Sequence, residues 1–332
     1  MGMLFSVFIL TIGFVLLVKG ADVLVKGASG LATRFGISSM VVGLTVVALG
    51  TSLPEAAISI VSSANTVDEL AIANVFGSNI MNTLVVLGLA AIMSQPAVPR
   101  SAVKMGIPLV LATTMLLLGL CTIDGMLGRF EAALLLVCLV VYLVTVVKMG
   151  IRSDGDGATE GAASAGSAGA EESSTAIVVS PKRERGIAYQ LLLIVLGAVA
   201  LAFGSDFVVD GASELARFAG LSERMIGLTV VALGTSLPEL VTAITASSKG
   251  ESDIAIGGIV GSNILNVLFV LGIAGVVSPI PFSPELMVDG IVSLAAAVLL
   301  WVACARAETL RRRWGVVMLG SYATYLAFLV VA

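Results

Sequence analysis

Gly43-Leu-Thr-Val-Val-Ala-Leu-Gly-Thr-Ser-Leu-Pro-Glu55 occurs twice in this chain, returning letter for letter as Gly227 to Glu239. The register between the copies, 184 positions, extends without a gap on both sides. Upstream, Gly20, Asp22, Gly27, Ala28, Ser29 and Leu31 fall on Gly204, Asp206, Gly211, Ala212, Ser213 and Leu215. Downstream, Gly77-Ser78-Asn79-Ile80 falls on Gly261-Ser262-Asn263-Ile264, and Asn82 falls on Asn266. A match of this length is an internal duplication. The chain is two copies of one unit, and each unit carries a glutamate in a very apolar setting.

That setting is a membrane. Of 332 residues, 58% are hydrophobic and 12% charged, against about 25% charged in a soluble domain. The mean hydropathy is +1.08. Apolar runs of about 20 residues, enough to cross the hydrocarbon core, recur at 3–25, 40–64, 70–93, 105–123 and 129–149. The second half repeats them at 186–209, 223–248, 254–276, 286–305 and 313–331. Between the halves, 153–176 holds Ser, Gly, Ala, Asp, Glu and Thr and no large apolar side chain. Such a composition cannot bury a core. It is expected to be a disordered stretch within a linker, 151–185, between a first repeat, 1–150, and a second, 186–332. Five spans per repeat is odd, so the second copy lies upside down relative to the first, as in many secondary transporters. The expected fold is an all-α integral membrane protein of ten transmembrane helices, built as two inverted-topology five-helix repeats.

Orientation follows from Lys and Arg, which gather on the cytoplasmic side. Most of the 18, among them Lys26, Arg34, Arg100, Lys104, Lys182 and Arg311, fall on one side. Arg129, Arg217 and Arg224 fall on the other. The linker is therefore expected in the cytoplasm and both termini outside, in the cell membrane. The N-terminus lacks the basic region and cleavage site of a removable signal. The absence of a basic patch interleaved with aromatics argues against a nucleic-acid partner. Histidine is absent. Cys121, Cys138 and Cys304 lie in apolar runs with no metal spacing and read as packing residues.

In each second span a glycine and a proline interrupt the helix: Gly50 and Pro54, Gly234 and Pro238. Proline removes a donor and clashes with the carbonyl four residues back, here that of Gly50 or Gly234. Backbone carbonyls freed at membrane depth persist where a cavity or an ion satisfies them. Glu55 and Glu239 follow at once. A charge at mid-bilayer costs about 2.5–3.5 kcal/mol on insertion scales, so two carboxylates call for a compensating cation. Thr51 and Ser52 lie one turn before Glu55 on its own face. Ser78 and Asn82 are four apart on the next span. The second copy supplies Thr235, Ser236, Ser262 and Asn266. Hydroxyls, amides, carbonyls and carboxylates are hard oxygen ligands that suit Ca²⁺ and Na⁺.

On these residues the chain resembles the cation/Ca²⁺ exchanger superfamily, and within it the prokaryotic sodium/calcium exchangers. The match lies in Gly50-Thr-Ser-Leu-Pro-Glu55 with Gly77-Ser-Asn-Ile-Met-Asn82, and in their counterparts at 234–239 and 261–266. The resemblance implies four central helices around an ion site and two long tilted helices, the first and sixth spans, that slide to alternate access. It implies that the carbonyls of Ala48 and Ala232 join Thr51, Glu55, Ser78, Thr235, Glu239 and Ser262 as ligands. Some relatives carry Asp at the position of Asn266, and in those that co-transport K⁺ an aspartate stands there. The first copy also reads Ala73-Asn74 where the second reads Gly257-Gly258, so one helix approach is expected to differ.

The implied activity is Na⁺-for-Ca²⁺ antiport by alternating access, electrogenic and independent of K⁺, in a transporter and not an enzyme. No cofactor is expected, and the partners are the two ions and the lipid bilayer. One chain supplies a complete site, and its oligomeric state is open. A Ca²⁺/H⁺ antiporter of the same fold is the alternative, because paired buried carboxylates can exchange protons. A scaffold has no need of two inverted glutamates, and a channel would want a continuous pore lining. The orientation is checked by Ser167→Cys in whole cells. The thiol should resist membrane-impermeant reagents, and labelling from outside would reverse the topology.

Overall fold

The computed structural model describes residues 3–64, 69–160, 186–220, 230 and 232–331. Helix α1 is Met3–Phe35, and the next span is a pair, α2 at Ser39–Thr51 and α3 at Leu53–Ala64, bent by 49°. Helices α4 (Leu70–Met93), α5 (Ala102–Asp124) and α6 (Arg129–Glu160) follow. The second half runs α7 (Ile187–Phe218), α8 (Ala232–Thr235), α9 (Leu237–Ser248), α10 (Ser252–Val277), α11 (Pro284–Cys304) and α12 (Arg312–Val331). Helix α6 carries 153–160, the first residues of the expected linker stretch. The rest of that stretch lies outside the described residues, as does the start of the 223–248 span.

Among the described residues, seven helices are long and apolar enough to cross a membrane unaided, and the bent pair α2–α3 makes an eighth. The protein is an all-helical, multi-pass membrane protein. Burial separates the helices into two kinds. The apolar windows of α4 and α10 are 83% and 94% buried, while those of α1 and α6 are 22% buried. Helices α4 and α10 are therefore the centre, and α1 and α6 present their apolar side chains to lipid.

Helices α1 and α7, of 33 and 32 residues, reach about 50 Å at 1.5 Å per residue, more than the ~30 Å hydrocarbon core. They lie antiparallel along a ladder of glycines spaced by seven, Gly13, Gly20 and Gly27 facing Gly204, Gly197 and Gln190. A methyl group at Gly197 would stand 2.6 Å from Leu24 N and 2.8 Å from Gly20 O. Small residues let membrane helices approach to backbone contact. Two further ties hold α1 at the turn between α9 and α10. Lys249 pairs with Asp22, and Ser29 Oγ donates to Glu251 Oε1 at 2.5 Å.

The connecting loops are paired as well. Met126–Leu127 (β1) and Ile280–Pro281 (β2) form an antiparallel pair, Met126 opposite Pro281 and Leu127 opposite Ile280. At the other end of α5, Ala97 bridges Thr309, and Leu310 N donates to Pro96 O. Moved by 184 positions, the Ala97–Thr309 bridge becomes 281 with 125, one residue from the observed pair of 281 with 126. Corresponding loops thus pair, with a one-residue shift, at each end of α5. Cys121 and Cys304 are buried and Cys138 half-buried, all three as free thiols in the packing.

The glycine ladder is tested by Gly204→Val. Its new side chain would start 2.9 Å from Leu17 N and 3.0 Å from Gly13 O. Overpacking of this kind costs about 1–3 kcal/mol, so the melting temperature in detergent should fall by several degrees. Gly119→Ala, whose added methyl meets nothing within 4 Å, should not lower it.

Candidate ion-binding site

The two motifs break the helix in the same way. Ser52 has φ −82° and ψ 3°, and Ser236 has φ −91° and ψ 3°. Each serine ends one helix, and its Leu-Pro-Glu opens the next. Of the carbonyls that proline sets free, Gly234 O accepts from Ser205 Oγ of α7 at 2.5 Å. The counterpart of Ser205 is Ala21, which has no hydroxyl to offer Gly50. Helix α2 widens into a π-turn at Gly43–Val47, and there Tyr142 of α6 donates to Leu44 O at 2.8 Å.

Helices α4 and α10 carry π-turns that begin at the paired asparagines, Asn82–Val86 and Asn266–Leu271. Such turns re-aim side chains and gather at functional sites. Four amides meet across the centre. Asn82 Nδ2 donates to Asn263 Oδ1 at 3.2 Å, and Asn266 Nδ2 to Asn79 Oδ1 at 3.1 Å. These two bonds are one bond repeated under the 184-residue register. Asn79 Nδ2 adds a bond to Asn263 O at 3.1 Å, and Asn263 Nδ2 one to Thr83 Oγ1 at 2.9 Å. The expected site residues Asn82 and Asn266 thus spend their amide N–H groups on each other's helices. Their Oδ1 atoms are buried and, among the described residues, without a partner.

Beside the amides lies a cluster centred on Ser262. Its Oγ is 3.0 Å from Ser52 Oγ, 3.1 Å from Thr51 Oγ1, 3.2 Å from Glu239 Oε1 and 3.4 Å from Ala48 O. Helix α10 comes this close because of its glycines: a methyl group at Gly261 would stand 2.6 Å from Leu44 O. Five expected residues from both repeats, Ala48, Thr51, Ser52, Glu239 and Ser262, therefore share one hydrogen-bonded cluster. Glu55 is 0% and Glu239 2% exposed. Both Glu55 oxygens, Glu239 Oε2 and Ser236 Oγ lack a hydrogen-bond partner among the described residues. Ser78 and Thr235 face a common cavity. Ala232 opens α8. Among the described residues no group of three or more His, Cys, Asp and Glu comes together. The donor set is thus two carboxylates among neutral oxygens.

Three residues escaped the sequence reading. Asn79 and Asn263 orient the site amides, and their signal was in plain view in the duplicated Gly-Ser-Asn. Thr242, one turn past Glu239, carries a buried hydroxyl without a hydrogen-bond partner among the described residues. With Thr51 and Glu239 it lines a void of about 10 Å³, the room one water needs. Its counterpart is Ile58, so the repeat pattern conceals it. The expected difference at Asn74 is also present. Asn74 Nδ2 reaches Ser59 Oγ at 3.1 Å and Glu55 O at 3.4 Å, where the second copy has Gly258 and Ala243.

A helical membrane protein with broken helices meeting at two buried carboxylates is a cation-transporter architecture. The family model for "sodium/calcium exchanger protein" matches residues 5–148 and 189–331, and the chain belongs to that family. It is 35% identical to the inner membrane protein YrbG of Escherichia coli K12, over 98% of this chain and 97% of that one. It is 31% identical to the sodium/calcium exchanger MaX1 of Methanosarcina acetivorans, over 97% of each. A solved structure of the sodium-calcium exchanger NCX_Mj superposes with a TM-score of 0.80 at 29% identity, covering 98% of this chain and 99% of that one.

The amide cluster is tested by Asn263→Ala. It removes the acceptor of Asn82 and the donor to Thr83, and leaves a buried amide unpaired at a cost of about 1–3 kcal/mol. The melting temperature should fall, and the rise in melting temperature on adding Ca²⁺ should shrink, since ligand stabilisation scales with affinity. A full Ca²⁺-dependent rise would show that the amides do not support ion binding.

Proposed function

We propose that this chain is a Na⁺/Ca²⁺ antiporter whose ions bind between Glu55 and Glu239 by alternating access. One observation carries the reading. Of the eleven buried side-chain oxygens that lack a hydrogen-bond partner among the described residues, six, on Glu55, Glu239, Ser236, Asn82 and Asn266, belong to the residues that the duplicated motifs single out. Buried polar groups in a protein are paired. Unpaired oxygens of both repeats, with no cationic side chain in the duplicated motifs, suit the coordination shell of a hard cation. The carbonyls of Ala48 and Ala232 and the hydroxyls of Thr51, Ser52, Ser78, Thr235 and Ser262 complete the proposed ligand set.

The finer architecture belongs to the same proposal: ten spans, two inverted repeats, termini outside and linker inside. It is supported by the pair of amide bonds related by the 184-residue register and by the loop pairing that recurs at the two ends of α5. An inverted duplication relates the two conformations of alternating access by a pseudo-two-fold axis in the membrane plane.

Charge sets the stoichiometric expectation. Glu55 and Glu239 supply two negative charges, and Asn82 and Asn266 supply none. One Ca²⁺ neutralises the site, whereas three Na⁺ leave one positive charge, so a three-for-one exchange moves net charge. With an amide at 266 there is no third carboxylate to hold an extra K⁺. The paired carboxylates would equally serve a Ca²⁺/H⁺ antiporter, and the driving ion separates the two readings.

The test is ⁴⁵Ca²⁺ uptake into proteoliposomes under separately imposed Na⁺ and H⁺ gradients. A Na⁺ gradient should drive uptake with or without K⁺, and an imposed membrane potential should change its rate. Uptake driven by the pH gradient alone would make the protein a Ca²⁺/H⁺ antiporter. Glu55→Gln and Glu239→Gln should each abolish exchange, since a divalent ion loses half its carboxylate charge. A variant exchanging at the wild-type rate would refute the site.

A further inference from the structure

Asp289 is an acidic residue outside the duplicated motifs, in the second turn of α11. Ionisable residues inside a membrane are costly and mark ion paths. This one faces a cavity of about 360 Å³ whose walls include Asn74 and Ser78 of α4, Thr235 of α8 and Tyr325 of α12. Ser78 and Thr235 are two of the proposed ligands, so the cavity leads from the carboxylate to the ion site. Tyr325 OH donates to Asp289 Oδ1 at 2.7 Å and holds the carboxylate in place.

The duplication supplies an internal control. A second cavity, of about 310 Å³, is lined by Met105, Cys138 and Val141, the counterparts of Asp289, Tyr322 and Tyr325. No carboxylate and none of the proposed ligand residues stand among the described residues that line it. Two matching cavities flank the centre, both reached by tyrosines, and among the described lining residues the carboxylate and the proposed ligand residues are on one of them. A carboxylate serving only to hook α12 through Tyr325 would not need to open onto Ser78 and Thr235.

We propose that Asp289 is a cation-capture site, a carboxylate that holds a Ca²⁺ or Na⁺ ion at the cavity before it passes to Ser78 and Thr235. The proposal rests on the antiporter reading above. A single carboxylate between low-dielectric walls concentrates cations and speeds their entry, and one charge binds weakly enough to release the ion inward. The capture site serves the face that carries the turn at 278–283, expected to be the outer one.

The experiment compares Ca²⁺ uptake by right-side-out and inside-out vesicles at low ionic strength. Asp289→Asn should raise the KM for Ca²⁺ about three- to tenfold when Ca²⁺ is offered to the 278–283 face. KM from the opposite face and kcat should stay at wild-type values. Added inert salt should narrow the gap, as screening predicts. Asp289→Glu and Tyr325→Phe keep the charge and should keep the KM. A wild-type KM from both faces in Asp289→Asn, or an equal rise from both, would overturn the proposal. So would a Tyr325→Phe that matches Asp289→Asn, which would make the pair a structural hook. If active wild-type vesicles accompany any of these results, only the capture site falls. Wild-type vesicles that exchange no Ca²⁺ would remove the antiporter reading with it.

Discussion

Two carboxylates stand in the interior of a membrane protein, Glu55 and Glu239, 0% and 2% exposed, with no cationic side chain in either duplicated motif to neutralise them. An ionised carboxylate in a medium of low dielectric is tolerated only when something neutralises it. The surrounding structure serves this one constraint. The proline breaks set each glutamate at the head of a new helix. The π-turns of α4 and α10 begin where an asparagine must face the centre. The glycines of α10 bring Ser262 within hydrogen-bond reach of Thr51, Ser52 and Glu239. What these devices leave is a set of buried oxygens, several of them without a hydrogen-bond partner among the described residues.

The duplication makes the two halves alike at the paired asparagines and unlike just behind them. Asn82 and Asn266 make the same bond to the opposite repeat. One step further out the symmetry ends. Asn74 props Ser59 and the Glu55 carbonyl, while Gly258 and Ala243 leave that place empty of hydrogen bonds. Ser205 caps the Gly234 carbonyl, and Ala21 cannot do the same for Gly50. Asn263 finds Thr83, where Asn79 would meet Val267. The glutamates therefore differ although their motifs are identical. Glu239 Oε1 accepts from Ser262, while both Glu55 oxygens are unpartnered among the described residues. A transporter with two inequivalent carboxylates can hold and release ions differently toward its two sides.

Long helices packed through glycine are the complementary requirement. Helices α1 and α7 touch backbone to backbone along the Gly13, Gly20 and Gly27 ladder, with Leu17, Leu24 and Leu201 fully buried beside it. Polar ties also cross from α1 to the turn between α9 and α10, Lys249 with Asp22 and Ser29 with Glu251. Small residues at such a seam let the two backbones approach closely.

The membrane class, the duplication and the identity of the central residues were legible in the sequence, because each depends on composition or on spacing along one chain. Apolar runs announce spans, and an exact repeat announces pseudo-symmetry. A glutamate after a proline in an apolar run announces a site whatever surrounds it. Partnership was not legible. That Asn82 and Asn266 are oriented by Asn263 and Asn79, that Ser262 is the hub of the hydroxyl cluster, and that Tyr142 reaches the Leu44 carbonyl all depend on approach between helices far apart in the chain. The roles of Thr242 and Asp289 were hidden for a related reason. Both stand where the repeats differ, so the periodicity that revealed the site gave no sign of them. Only the packed helices decide whether such a residue faces lipid, a neighbour or the path of an ion, since helical spacing fixes a face but not what that face meets.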